Sequence, residues 1–353
     1  MVAVMFLQDK NDHIRRRSEM RLRIFFCNPN TMCSINIFSV HLKKMVFPLS
    51  YIFFTGLCFQ CSSDNKKNDA PKVLYSPATD SIWHAPDSLS ITDKEIAYGR
   101  DLIAHTAKYL GPNGSIMQIS NGMNCQNCHL KAGTKVFGNN YSAVASTYPK
   151  FRARSGGIES VEKRINDCIQ RSLNGKPLTS ESRELKSIVA YINWVGSAVR
   201  KGVSPKGSGL VKVPLMNRAA DPQRGKILYA SKCAVCHGKD GDGKKNETGS
   251  EYQYPPLWGE HSYNTGAGLF RLSRFAGYVK ANMPNGTNYD QPVLTDEEAW
   301  DLAAFVNSMP RPRKDFAEDW PDVNKKPFDH PFGPYADSLS EQQHKFGPWA
   351  MKE

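Results

Sequence analysis

The sequence predicts an all-α protein made of two versions of one helical module, closed by an extended tail. Three observations carry this. A C-x-x-C-H motif occurs twice, at residues 125–129 and 233–237; a similar pair of helix patterns flanks each copy; and residues 311–353 are rich in proline and aromatic side chains. The chain has 353 residues, about two domains' worth, with 40% hydrophobic and 23% charged residues and with 22 Pro and 26 Gly scattered through it. That composition excludes a mostly disordered chain, a coiled coil and a multispanning membrane protein.

Residues 1–60 read as an export signal. Lys43 and Lys44 precede an apolar run of 15 residues, Met45 to Phe59, which is short for a membrane span and suited to a signal's apolar region. The sequence then turns polar after Cys61, a residue placed like the lipidated first residue of a bacterial lipoprotein, although Gln60 stands where a small residue usually precedes it. Lipidation at Cys61 or simple cleavage are the two outcomes. Residues 1–31 are read as an overlong start, with Met32 or Met45 as the beginning. Without the first 60 residues the net charge of +12 falls to +7, since they hold eight Lys/Arg and three Asp/Glu. No basic block with interleaved aromatics is present, so nucleic acid is not an expected partner, and the excess charge is a solvated face or a field that steers an anion.

The two motifs, Cys125-Gln-Asn-Cys128-His129 and Cys233-Ala-Val-Cys236-His237, point to covalently bound haem c. In such a motif the two thiols add across the haem vinyl groups and the adjacent His binds the iron. Two copies imply two haems, and c-type attachment agrees with an exported, periplasmic location. The glycine-rich run after His237 is read as the loop that follows such a motif, not as a cation site. Four of the five cysteines beyond Cys61 are thereby used, and Cys168 is left over.

The flanking patterns make the repeat. Tyr98-Gly-Arg-Asp-Leu-Ile before the first motif parallels Gln223-Arg-Gly-Lys-Ile-Leu before the second, and both read as opening helices. After the motifs, Glu184 to Ile192 parallels Glu298 to Val306 as closing helices, with Ala190-Tyr-Ile matching Ala304-Phe-Val. Thr295 with Glu298, and Thr92 with Glu95, have capping-box spacing. Two tandem class I cytochrome c modules fit this pattern, the distal iron ligand sitting ahead of each closing helix. Met283 lies there in the second module, with an ordinary core methionine or Met309 as alternatives. Cys168 occupies the corresponding place in the first; on its own it would read as an inert buried thiol, and Met117, Met123 and His105 are rival donors.

Residues 85–350 resemble the dihaem thiosulfate dehydrogenases, the tetrathionate-forming cytochromes c. The likeness rests on Asn121 to Leu130, on Cys168 with Arg171-Ser-Leu-Asn-Gly-Lys176, and on the tail segments 331–337 and 343–348, which no generic cytochrome c carries. The resemblance implies His129/Cys168 ligation at a catalytic first haem and His237/Met283 ligation at a second haem that passes electrons out. It also implies substrate-binding roles for Arg154, Arg164 and Ser172. Asn282 stands where some members carry a lysine that competes for the iron, so that ligand exchange is not expected. Arg164, Cys168 and Ser172 are spaced i, i+4, i+8, along one stripe of a helix.

The expected layout is therefore a first module over 71–200 with the catalytic haem, a Gly/Pro/Lys-rich linker over 201–214, a second module over 215–310, and the tail over 311–353. The activity implied is oxidation of two thiosulfate ions to tetrathionate, with electrons leaving through the second haem to a small soluble acceptor such as a cytochrome c. A lipid anchor would be the one contact with membrane. Two alternatives stand beside it: a dihaem carrier without substrate chemistry, and a sulfur-oxidation cytochrome that conjugates thiosulfate to a partner's cysteine.

Overall fold

The computed structural model describes residues 22–25, 35–38 and 81–349; Cys61 and the apolar run 45–59 lie outside the described residues. In the N-terminal unit, which spans residues 1–66, the strands Leu22–Phe25 and Ile35–Phe38 pair antiparallel. The second unit is mostly helical, and its only strands among the described residues form two short hairpins, Lys150–Arg152 with Gly157–Glu159 and Lys244–Lys245 with Tyr252–Tyr254. No described helix is long and apolar enough to cross a membrane.

Each half of the second unit is built on the same helix crossing. The opening helix Lys94–Ala104 packs on the closing helix Arg183–Val195, and Pro222–Lys232 packs in the same way on Asp296–Ser308. The contact point is a glycine in both. A Cβ on Gly99 would sit 1.9 Å from Ser187 O and 2.9 Å from Tyr191 Cβ, and one on Gly225 would sit 2.0 Å from Asp301 O and 2.7 Å from Phe305 Cβ. The backbones touch because neither glycine has a side chain to hold them apart. This corrects the alignment of the repeat by one residue: Gly99 corresponds to Gly225, not to Arg224.

Around the first crossing, Trp83, Leu102, Ile103, Ile188 and Tyr191 are fully buried; around the second, Trp300, Leu302, Ala303 and Val306 are. Thr295 and Glu298 form the capping box expected of them, with bonds of 3.1 and 2.9 Å. The other box does not form. Asp93 caps the opening helix instead, accepting from Glu95 N and Ile96 N, because the Glu95 carboxylate is drawn across to Arg183 (2.8 Å) and Ser187 (2.7 Å) on the closing helix.

Residues 201–214 contain no helix and run from the first half, where Gly207 O accepts from Phe137 N (2.7 Å) and Gly209 O from Asn139 N (2.9 Å), to the second, where Pro214 O accepts from Trp300 Nε1 (2.8 Å). The tail packs on both halves. Trp349 is buried against Trp300 and Phe328, and Asp319 reaches back to Arg171. Direct bonds join the halves, including Tyr278 Oη to Asn127 O (2.7 Å), Asn264 Nδ2 to Gln170 O (2.8 Å) and Asn282 Nδ2 to Phe137 O (3.0 Å).

Candidate functional site

The helix Val161–Arg171 carries the first site. It follows the hairpin strand Gly157–Glu159, and Ser160 caps it, accepting from Lys163 N at 3.3 Å. Ser172 is its C-cap and donates its backbone N–H to Cys168 O, and Asn174 takes the left-handed conformation at φ 45°. Ile165 and Ile169 face the core of the first half, leaving Arg164 and Cys168 partly buried on an adjoining stripe.

Opposite this stripe stands the first C-x-x-C-H motif. Cys125 N donates to Thr106 Oγ1 (2.9 Å), which anchors the motif to the opening helices. His129 Nδ1 bonds Asn139 O at 2.5 Å and its ring stacks on Tyr141, which fixes the orientation of the imidazole. The Cys168 thiol lies within hydrogen-bonding reach of that ring. Burial pushes the thiol up, but the Arg164 guanidinium and the bond from His129 outweigh it and bring Cys168 down to about 6. The motif thiols have no such neighbour, and burial pushes Cys125 to about 11 and Cys128 to about 12. Cys168 is therefore the thiolate of the group.

The second site repeats the arrangement. A cavity of about 860 Å³ is lined by Cys233, Cys236, His237 and Met283, with Tyr229, Phe275 and Leu302 on its walls. His237 Nδ1 bonds Pro255 O (2.8 Å), and burial pushes the ring toward the neutral form. Met283 caps the helix Leu272–Asn282, so it directly follows a helix where Cys168 lies within one. Met309 does not line this cavity. Of the rival donors for the first site, Met123 and His105 line this second cavity, the His105 ring bonded to Glu251 at 3.0 Å. Met117 packs against the first core. Each site thus brings together two thiols, an oriented imidazole and a sulfur on a facing element, and the five cysteines among the described residues are free of disulfides. That donor set fits a covalently held haem c.

The other expected residues divide. Arg164 is beside Cys168, and their mutual charge raises its pKa further. Ser172 is one turn on, at the helix end. Arg154 is set farther off, its guanidinium 3.4 Å from Gly266 O and over the Trp320 ring at 5.7 Å. No local pattern marks a role for Arg171, which is buried, lies over Phe316 at 3.5 Å and donates to both oxygens of Asp319 at 2.6 and 2.7 Å. Its partner is 148 residues away, so no local pattern could have shown the pair.

Comparison with known proteins agrees with this architecture. The family described as SoxA/TsdA, cytochrome c domain, matches residues 116–199, and the family described as cytochrome c matches residues 222–310. A thiosulfate dehydrogenase of Psychrobacter arcticus is 38% identical over 243 residues, covering 67% of this chain and 71% of the relative. One from Allochromatium vinosum is 39% identical over 198 residues, covering 55% and 72%, and one from Stutzerimonas stutzeri is 36% identical over 218 residues, covering 62% and 68%. The solved structure of the thiosulfate dehydrogenase TsdBA from Marichromatium purpuratum, in its as-isolated form, superposes with a TM-score of 0.61 at 28% identity. That match covers 69% of this chain and 51% of the solved one, about half its length. With two cytochrome c domains in the order the helix crossings show, and relatives of this identity and coverage, the chain belongs to the thiosulfate dehydrogenase family of oxidoreductases.

Proposed function

We propose that the chain oxidises two thiosulfate ions to one tetrathionate and passes the two electrons to a small soluble acceptor. The observation that carries this is the meeting of His129, Cys168 and Arg164: an imidazole and a thiolate face one another, with a fixed cation one turn away. Such a cation suits a sulfonate, because the guanidinium keeps its charge and donates several hydrogen bonds from a planar fork.

Haem c, held at Cys125 and Cys128 with His129 and Cys168 as ligands, and at Cys233 and Cys236 with His237 and Met283, would supply the one-electron carriers. The chain's own residues do the rest. Arg164, with Ser172 and Arg154, orients a thiosulfate with its sulfane sulfur toward Cys168. The Cys168 thiolate bonds that sulfur as two electrons leave, giving Cys168–S–SO3⁻ with one added sulfur between. A second thiosulfate then attacks the added sulfur, the bond to Cys168 breaks, tetrathionate departs and the thiolate is restored. Charge balances in both steps. Cys168 can instead act only as a strongly donating ligand, with the sulfur–sulfur bond formed between the two substrates. In this reading the protein is exported and works in the periplasm, either free or held by lipid at Cys61.

An anaerobic assay of the purified haem-loaded protein tests the proposal. Thiosulfate with ferricyanide should give tetrathionate, and tetrathionate with a reduced dye measures the reverse reaction. Absence of turnover in both directions would refute it.

A further inference from the structure

A second cavity, of about 440 Å³, lies where the first half, the second half and the tail meet. Its lining includes Arg154, Lys314, Lys326, Phe316, Trp320 and Phe332. Nothing in the reaction above uses its tail residues.

The charges in its wall do not cancel. Arg271, also in the wall, is neutralised by the fully buried Asp329, which accepts from its Nε at 2.8 Å and its Nη2 at 2.5 Å. Asp319 is taken up by Arg171 through both oxygens. Asp315 is exposed and pairs with the exposed Arg313 at 3.9 Å. Three cations remain. Arg154 meets the Gly266 carbonyl at 3.4 Å, Lys326 meets the Pro334 carbonyl at 3.1 Å, and Lys314 lies over the Phe316 ring at 5.5 Å. Among the described residues none of the three is in an ion pair. Burial and the charges of Arg171 and Arg164 lower Arg154 to about 10, and burial lowers Lys326, with Asp319 offsetting part of the effect on both. Like charges gathered in a partly desolvated space repel, and a bound anion would relieve that repulsion.

Arg154 lines the wall of this cavity and also feels the charge of Arg164, the residue beside Cys168. We propose that the cavity is a second oxyanion site, in which Lys314 and Lys326 hold the far sulfonate of a two-ended sulfur oxyanion while Arg164 holds the near one and Arg154 lies between. The identity of that anion, the second thiosulfate or the tetrathionate product, rests on the function proposed above; the cation cluster itself does not.

The test uses oxidised, haem-loaded protein and ethane-1,2-disulfonate, a redox-inert dianion with a sulfonate at each end of a two-atom bridge, as in tetrathionate. Binding is measured by isothermal titration calorimetry on the native protein, on the double variant Lys314→Gln/Lys326→Gln, and on Lys326→Glu. The proposal expects the double variant to bind about tenfold more weakly, in keeping with loss of charge-assisted bonds, and Lys326→Glu to bind more weakly too, with circular dichroism unchanged. Equal affinity in the native protein and both variants would overturn it, as would absence of binding to the native protein. Thiosulfate-dependent ferricyanide reduction is measured on the same samples. Lysine-dependent binding without turnover would leave the oxyanion site standing and remove the function; normal turnover with lysine-independent binding would do the reverse.

Discussion

Arg164 and Cys168 lie one helical turn apart on the helix Val161–Arg171, and the guanidinium, helped by His129, brings the thiol to about 6 against the pull of burial. The same spacing places a fixed cation beside the one thiol of the first site whose pKa is lowered, Cys125 and Cys128 being raised. A lysine there would give charge without the planar fork, and a glutamine would give hydrogen bonds without charge. Arg164→Gln should therefore raise the thiosulfate KM, by a factor matching the loss of about 1.5 to 3 kcal/mol for a charge-assisted bond. An unchanged KM from steady-state ferricyanide reduction would place the anion elsewhere.

The two glycine crossings give a prediction about stability alone. Adding one methyl at Gly99 or Gly225 drives a Cβ into a backbone carbonyl oxygen, Ser187 O or Asp301 O, which no side-chain rotation can relieve. Gly99→Ala and Gly225→Ala should each destabilise the protein by about 2 kcal/mol or more. Chemical denaturation measures this, and a change under 0.5 kcal/mol in either variant would show that the helices can part at no cost.

Much of this was legible in the sequence and some of it could not have been. The two C-x-x-C-H motifs and the Thr295–Glu298 box are short patterns whose partners lie within a few residues, so local spacing is enough to find them. The crossing glycines were visible as part of a repeat but out of register by one, because sequence similarity cannot say which residue the other helix touches. Glu95 was read as a capping residue by spacing, and a cation 88 residues away decided otherwise. The tail carried no periodicity from which its roles could be read. Asp319 and Trp349 acquire their meaning only through contacts with Arg171 and Trp300, and Lys326 through the cavity it lines together with Arg154.

Covalent attachment at both motifs predicts that denatured protein keeps two haems per chain after acid-acetone extraction. A pyridine haemochrome assay against protein concentration counts them. One haem or none would break the assignment of Cys125, Cys128, Cys233 and Cys236.

Met283 and Cys168 differ in kind, a thioether against a thiolate, so the two haems should differ in potential, the second being higher. Met283→Ala should alter only the higher-potential component in a spectroscopic redox titration. An unchanged titration would show that the ligand is another residue.

His330 predicts an acid sensitivity in the tail. Burial, with Lys326, Arg154 and Arg271 nearby, pushes its pKa down to about 4, and Trp320 and Phe332 pack on the ring. A histidine whose folded pKa lies below its unfolded value near 6.5 contributes stability that is whole above about 6.5 and is lost as pH falls toward 4. The loss is at most about 3 kcal/mol. His330→Phe should unfold in urea with a smaller difference between pH 7 and pH 4.5 than the native protein, and equal differences would contradict the assignment.

The central claim is that Cys168 is the working sulfur of the first site and not an inert thiol. Cys168→Gly leaves the four attachment cysteines in place, so both haems should remain bound. The measurement is thiosulfate-dependent ferricyanide reduction by this variant, with haem content verified at two per chain. Abolished turnover in the fully loaded variant is the predicted result; substantial turnover would contradict it.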